Sequence, residues 1–179
     1  SVVNALSEHL LLEIFRGGKI HHQEYVRGAP TGPLTVSGET KETGTKITFL
    51  ADSEIFDETD YSFDVLAHRL RELSFLNRGV QIEFRDERSG KTKNFLYEGG
   101  IKSFVEHLNK NKTALHPNVV YLAGESGDVV VEVAIQYNDG YQEKIFSFAN
   151  NINTIEGGTH VSGFSSALTR TLTFYAQKN

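Results

Sequence analysis

Two periods of apolar residues alternate along this chain, and each forecasts a different element. Residues 10–15 form an apolar run of strand length. Gly17-Gly18 then supplies two positions that tolerate positive φ, and residues 19–26 return as a second strand. Residues 1–8 read as the end of a helix, and 28–38, with Pro30 and Pro33, as mostly loop. Thr45, Ile47 and Phe49 recur every second residue, the period of a half-buried strand over 45–50. An acidic turn follows at 57–60. Residues 63–77 predict a helix, because Leu66, Leu70, Leu73 and Leu76 sit three or four apart with Arg69, Arg71 and Glu72 between them. Gly79 is its natural stop.

Beyond it, 80–86 and 92–97 predict a hairpin around Ser89-Gly90. Gly99-Gly100 then opens a short helix ending near Asn109. After Pro117 the pattern turns β-rich over 118–122, 129–137 and 141–148, with Asn138-Asp139-Gly140 as a hairpin signal. Gly157-Gly158-Thr159 introduces a long helix, with Thr159 as N-cap and Val161, Phe164, Leu168, Leu172 and Tyr175 as its buried face. Hairpins and helices mix without regular strand–helix alternation, which predicts an α+β fold. The expected domain boundary is the diglycine, giving domains 1–99 and 100–179.

Composition narrows the function classes. The 179 residues are 39% hydrophobic and 23% charged, as in a globular chain, and no run of about 18 apolar residues spans a membrane. No segment reads as a secretory signal. Cysteine is absent, which excludes disulfides and thiolate metal sites within these residues. Eighteen basic residues face 23 acidic ones, for a net charge of −5, and no Lys/Arg-rich block stands out. That argues against strong gripping of duplex DNA, or an RNA-binding role, by this stretch itself.

The candidate chemistry is sparse. Thr45, at a strand entrance after Gly44, carries a hydroxyl that both donates and accepts, which suits reading a purine edge through water. Ile47 lies on the same face two residues on and would floor an apolar pocket. Arg16, at a strand end, has a planar guanidinium that can stack on a ring or grip a carbonyl. Ser1 and Asn4 lie in the first helix, and a helix N-terminus favours phosphate; Asn4 reads as structural. The seven histidines show no metal-ligand spacing backed by a carboxylate. No nucleophile–base pair stands out, and Arg170 reads as a surface arginine on an amphipathic helix.

Five blocks in order now carry a resemblance: SVVNALS (1–7) with TGTKITF (43–49), RLRELSFLNRG (69–79), YEGGIKSFVEHLNKNK (97–112), VEVAIQYNDGYQE (131–143) and NNINTIEGGTH (150–160). On these the chain resembles the B subunits of bacterial type II DNA topoisomerases, of the GHKL (Bergerat-type) ATPase family. LSFLNRGV (73–80) favours the gyrase type over the topoisomerase IV type. The resemblance implies the C-terminal portion of a GHKL ATPase α/β sandwich over 1–99, then the N-terminal portion of a ribosomal-protein-S5-like transducer over 100–179. It implies a cytoplasmic, ATP-dependent isomerase that couples ATP hydrolysis to DNA strand passage and negative supercoiling. It implies ATP and Mg2+ as cofactors, and as partners a second B subunit, the gyrase A subunit and DNA, with coumarin-type inhibitors docking at the pocket mouth. By the same resemblance Thr45, Ile47, Arg16 and Ser1 are ATP-site residues, and Arg170 faces a cavity for DNA. The phosphate loop, general base and magnesium ligand of the family precede the position of Ser1, and its phosphate-sensing lysine follows that of Asn179. The chain is therefore expected to be a fragment that does not hydrolyse ATP alone. The rival from another class is a folded module that binds no nucleotide.

Overall fold

A computed structural model describes residues 2–178, which divide into two compact units on either side of the Ser62–Phe63 junction. In the first unit a short helix α1 (Val2–Ala5) runs into β1 (Ser7–Arg16), followed by β2 (Lys19–Val26), β3 (Ala29–Pro30), β4 (Thr35–Glu39) and β5 (Gly44–Ala51). They form one antiparallel sheet of order β3-β2-β1-β5, with β4 also on the outer edge of β2. The first hairpin forms as read: Arg16 pairs with Lys19 across Gly17 and Gly18, whose φ values of 60° and 78° are those of a two-residue type I′ turn. The predicted loop at 28–38 is corrected. Its ends pair with β2 as β3 and β4, the two prolines taking an edge position and the connection between the strands.

A buried carboxylate closes this sheet. Asp52, 1% exposed, follows β5 and receives Nε of Arg27 at 2.7 Å and Nη2 at 3.3 Å. Arg27 also reaches Glu54 at 2.6 Å, and together these acceptors raise its pKa. The Asp52 amide donates to the Leu6 carbonyl and that of Arg27 to Ser7, while the Ser7 hydroxyl donates back to Val3. The ends of α1, β2 and β5 and the start of β1 are thus held at one point. Arg27 adopts φ 48°, an uncommon value for a side chain of this size, and the ion pair holds it there.

The second unit contains α2 (Phe63–Leu76), β6 (Ile82–Asp86), β7 (Lys91–Phe95), α3 (Ile101–Asn109), β8 (Val120–Ser126), β9 (Val129–Ile135), β10 (Phe148–Ala149), β11 (Ile152–Asn153) and α4 (Thr159–Lys178). The strands pair consecutively as three antiparallel hairpins. The face of α2 is corrected. Phe63, Ala67 and Phe75 are buried, and the four leucines are half-buried on the flanks. The reason is aromatic packing. Phe63 stacks on Phe84 at 4.8 Å, and Phe75 lies between Tyr97 (3.7 Å) and Phe104 (5.1 Å).

Four further expectations are corrected. Asn138-Asp139-Gly140 makes no hairpin. Asn138 Oδ1 accepts the Gly140 amide, and the segment pairs with residues 113–115, giving up its turn geometry to those bonds. Residues 141–147 are irregular and only Phe148 joins a strand. On α4, Val161, Phe164 and Leu168 are half-buried, and Leu172 and Tyr175 are exposed. The helix begins at Thr159, but the carbonyl of Gly158 accepts its first bond, from Ser162, so the cap position is Gly158.

Replacing Arg27 with Ala leaves the Asp52 carboxylate buried without its cation. We expect a clear loss of stability, smaller than for a fully buried pair because Arg27 is half exposed. Arg27→Gly, which relieves the positive φ, should lose less. Denaturant unfolding of the three proteins checks the order. In the β6–β7 turn, Asp86 accepts from Arg88 and Ser89, and its pKa falls from 3.8 to about 2. Its contribution to stability is therefore complete above the unfolded value of 3.8 and disappears as pH falls through about 2. An NMR titration should find that midpoint, and Arg88→Ala should move it upward.

Candidate functional site

The register of β1 decides which side chains share a face. Thr45 stands opposite Ile14, Ile47 opposite Leu12 and Phe49 opposite Leu10. Across the other edge the same three β1 residues meet His21, Gln23 and Tyr25. Because facing alternates along a strand, Thr45, Ile47 and Phe49 look out from the side that carries Leu10, Leu12 and Ile14. Arg16, two residues beyond Ile14, belongs to this side as well, at the end where β5 begins. The structure therefore brings Thr45, Ile47 and Arg16 together, with a hydroxyl and a guanidinium at one end of an apolar face. Glu13 and Lys46, 3.1 Å apart, lie on the opposite face.

At the far end of the same face the side chains of Val2, Val3, Leu6, Phe49, Phe56 and Tyr61 enclose a pocket of about 150 Å³. Asn4, on α1, keeps its side-chain oxygen buried with no protein partner. Such an atom is costly to leave unmade, and it is a natural acceptor for a ligand or a water. That burial gives Asn4 a stronger claim to a polar contact than its place in the sequence does.

One expectation is corrected. β5 is not half-buried: Thr45 is exposed, and Ile47 retains 55% of its accessible surface. β5 is the edge of the sheet, and Ile47, Phe49 and Leu50 along it are all exposed. Ile47 is therefore an open apolar wall and not a core residue. Ser1 lies outside the described residues. Arg170 is exposed on α4, in the second unit. Leu12, Ile14 and Phe49 complete the apolar face, and alternation along β1 and β5 was the signal that could have named them.

The arrangement suits a flat, largely apolar group with a polar edge: side chains to lie against, a hydroxyl at the rim, and an arginine beyond it. It does not by itself suit a metal. Among the described residues, no three histidine or acidic side chains are grouped to hold one. His22 and His9 approach only Glu24, at 3.3 and 3.9 Å.

Comparison with known proteins agrees with the five blocks. The family model described as DNA gyrase B matches residues 100–179. The gyrase B protein of Bacillus mycoides is 55% identical over 181 residues, covering 100% of this chain and 45% of its own length. That of Halalkalibacterium halodurans is 54% identical over 181 residues, covering 100% of this chain and 28% of its own. The family that these matches share is DNA gyrase B. The chain spans less than half the length of these curated relatives. Among solved structures, the 43K ATPase domain of Thermus thermophilus gyrase B, in complex with an aminocoumarin, superposes with a TM-score of 0.86 at 41% identity. The match covers 99% of this chain and 49% of that one. The gyrase B-subunit of Myxococcus xanthus shares the fold with a TM-score of 0.87 at 24% identity, over 97% of this chain and 52% of its own. The α+β fold is that of gyrase B ATPase domains. Among the described residues, no helix is long and apolar enough to cross a membrane.

Because Thr45 is exposed and makes no side-chain contact that the fold needs, Thr45→Val should leave unfolding free energy within about 0.5 kcal/mol of the parent. Thermal and denaturant melts check this. A larger loss would place the hydroxyl in the fold itself.

Proposed function

We propose that this stretch forms the adenine-side wall of an ATP pocket in a protein of the gyrase B type. The observation that supports it is the convergence of Thr45, Ile47 and Arg16 on one open face of the sheet. In this reading Thr45 holds the polar edge of the base through water, Ile47 and its β1 neighbours lie against its ring, and Arg16 guards the mouth. An aminocoumarin bound to the Thermus thermophilus ATPase domain is in keeping with a planar ligand in this fold. Ser1 is assigned to the phosphate side by resemblance alone.

The whole protein, in the same reading, is part of an ATP-dependent type II topoisomerase. ATP draws two B subunits together, the gyrase A subunit and DNA complete the assembly, and hydrolysis drives passage of one duplex through another. Residues 1–99 belong to the ATPase domain and 100–179 to the transducer, a division that matches where the gyrase B family model begins. Arg170 would face a passing duplex. Mg2+ would neutralise the phosphates of bound ATP, with ligands supplied from outside these residues. The topoisomerase IV reading loses ground because the family model and the curated relatives named above are of the gyrase type.

Calorimetric titration of the full-length protein with a non-hydrolysable ATP analogue and magnesium tests this. Thr45→Val removes one hydrogen-bonding group from the base contact and should weaken binding about tenfold, equivalent to about 1.4 kcal/mol. Unchanged affinity would sink the assignment of this face.

A further inference from the structure

The block 150–160, singled out by resemblance, has no part in the pocket, yet the structure gives it a continuous set of bonds. Its first two residues, Asn150 and Asn151, both have positive φ (50° and 67°) and form the two-residue turn between β10 and β11. Asn tolerates this conformation better than other side chains. Asn151 then turns outward to α2. Its side-chain amide donates to Asn77 Oδ1 at 3.0 Å, and its carbonyl accepts from Arg69 at 3.0 Å. Asn77 is itself tied to Leu73 at 2.7 Å, and Arg69 to Glu72.

The other end of the block grips α4. The Thr154 amide donates to the Ser147 carbonyl at 2.8 Å, and the two hydroxyls meet at 2.7 Å. The Thr154 hydroxyl reaches His160 Nε2 at 3.2 Å, and the Thr154 carbonyl accepts the Gly157 amide at 2.8 Å. The two glycines now have a reason. Gly157 takes φ 79°, and a Cβ at Gly158 would stand 2.9 Å from the His160 ring. Only a residue without a side chain lets that ring fold back from the first turn of α4 onto Thr154.

We propose that segment 150–160 is a mechanical linkage from α2 to α4: Asn151 grips α2, and Thr154 with His160 carries that grip to the first turn of α4. The inference rests on the proposed function in one respect: α2 then belongs to the ATPase side and α4 to the transducer side, so the linkage passes displacement of one to the other. The path is contiguous: named side-chain bonds lie at either end, and the backbone of β11 joins them.

Asn151→Gly is the discriminating variant. It keeps the left-handed turn and deletes only the side-chain bond to Asn77. Hydrogen exchange on the 179-residue chain should then show the amides of the first turn of α4, Ser162 among them, exchanging at least about fivefold faster, although the substitution lies outside α4. His160→Ala should loosen the same turn, and His160→Gln, which can still bond Thr154, should restore much of it. Faster exchange confined to residues 148–153 would overturn the linkage. This readout needs no nucleotide, so it judges the linkage whether or not the ATP reading holds. In the assembled enzyme, Asn151→Gly should keep ATP hydrolysis and lower strand passage per ATP severalfold. An unchanged ratio would overturn the transmitting role.

Discussion

A slip of one residue between β1 and β5 would turn Thr45 and Ile47 to the other side of the sheet and put Lys46 in their place. The candidate site depends on that register more than on any side chain in it. The Gly17-Gly18 turn sets the pairing of β1 with β2, and the register of β5 against β1 is held at its far end by Asp52. The Asp52 amide is held by Leu6 just before β1, and its carboxylate by Arg27 just after β2. A buried carboxylate is costly unless its partners are all in place, so alternative registers that separate Asp52 from Arg27 are penalised together. The ion pair is therefore a device for specificity at least as much as for stability.

Much of the fold was legible in the sequence, and for local reasons. The diglycine hairpin, α2, the hairpin around Ser89-Gly90, α3 and α4 each carry their own period and their own stop signal. What escaped was set by distant partners. Arg27 and Asp52 are 25 residues apart, and neither stands in a pattern. The buried face of α2 went to phenylalanines because Phe84, Tyr97 and Phe104 supply rings to stack on, a choice that leucine spacing alone does not reveal. The Asn-Asp-Gly signal was sound as turn chemistry, but pairing with residues 113–115 outweighed it. The real asparagine turn, at Asn150-Asn151, joins strands too short to show a period.

The site was legible in a different way. Alternation alone put Thr45 and Ile47 on one face, and a turn put Arg16 at a strand end. That these side chains have to do with a nucleotide came from the resemblance, and the geometry adds that they do converge. The boundary is a matter of two distinct divisions. The family model begins at residue 100, whereas the packing of the chain divides at the Ser62–Phe63 junction. Between those positions lie α2 and the β6–β7 hairpin, and Phe75 stacking on Phe104 ties α2 to α3, beyond the diglycine. A sequence-family boundary and a division in packing need not coincide. Here α2 packs with the later elements.

The most direct test of the central claim is to map, residue by residue, where a non-hydrolysable ATP analogue meets the sheet. Amide and side-chain shifts should be followed by NMR as the analogue and magnesium are added to the full-length protein. The account predicts that perturbations follow one face, at Leu12, Ile14, Arg16, Thr45 and Ile47, and leave the side chains of Glu13, Lys46 and Thr48 nearly unmoved. Shifts concentrated on the opposite face, or absent from β5 while binding occurs elsewhere, would contradict it.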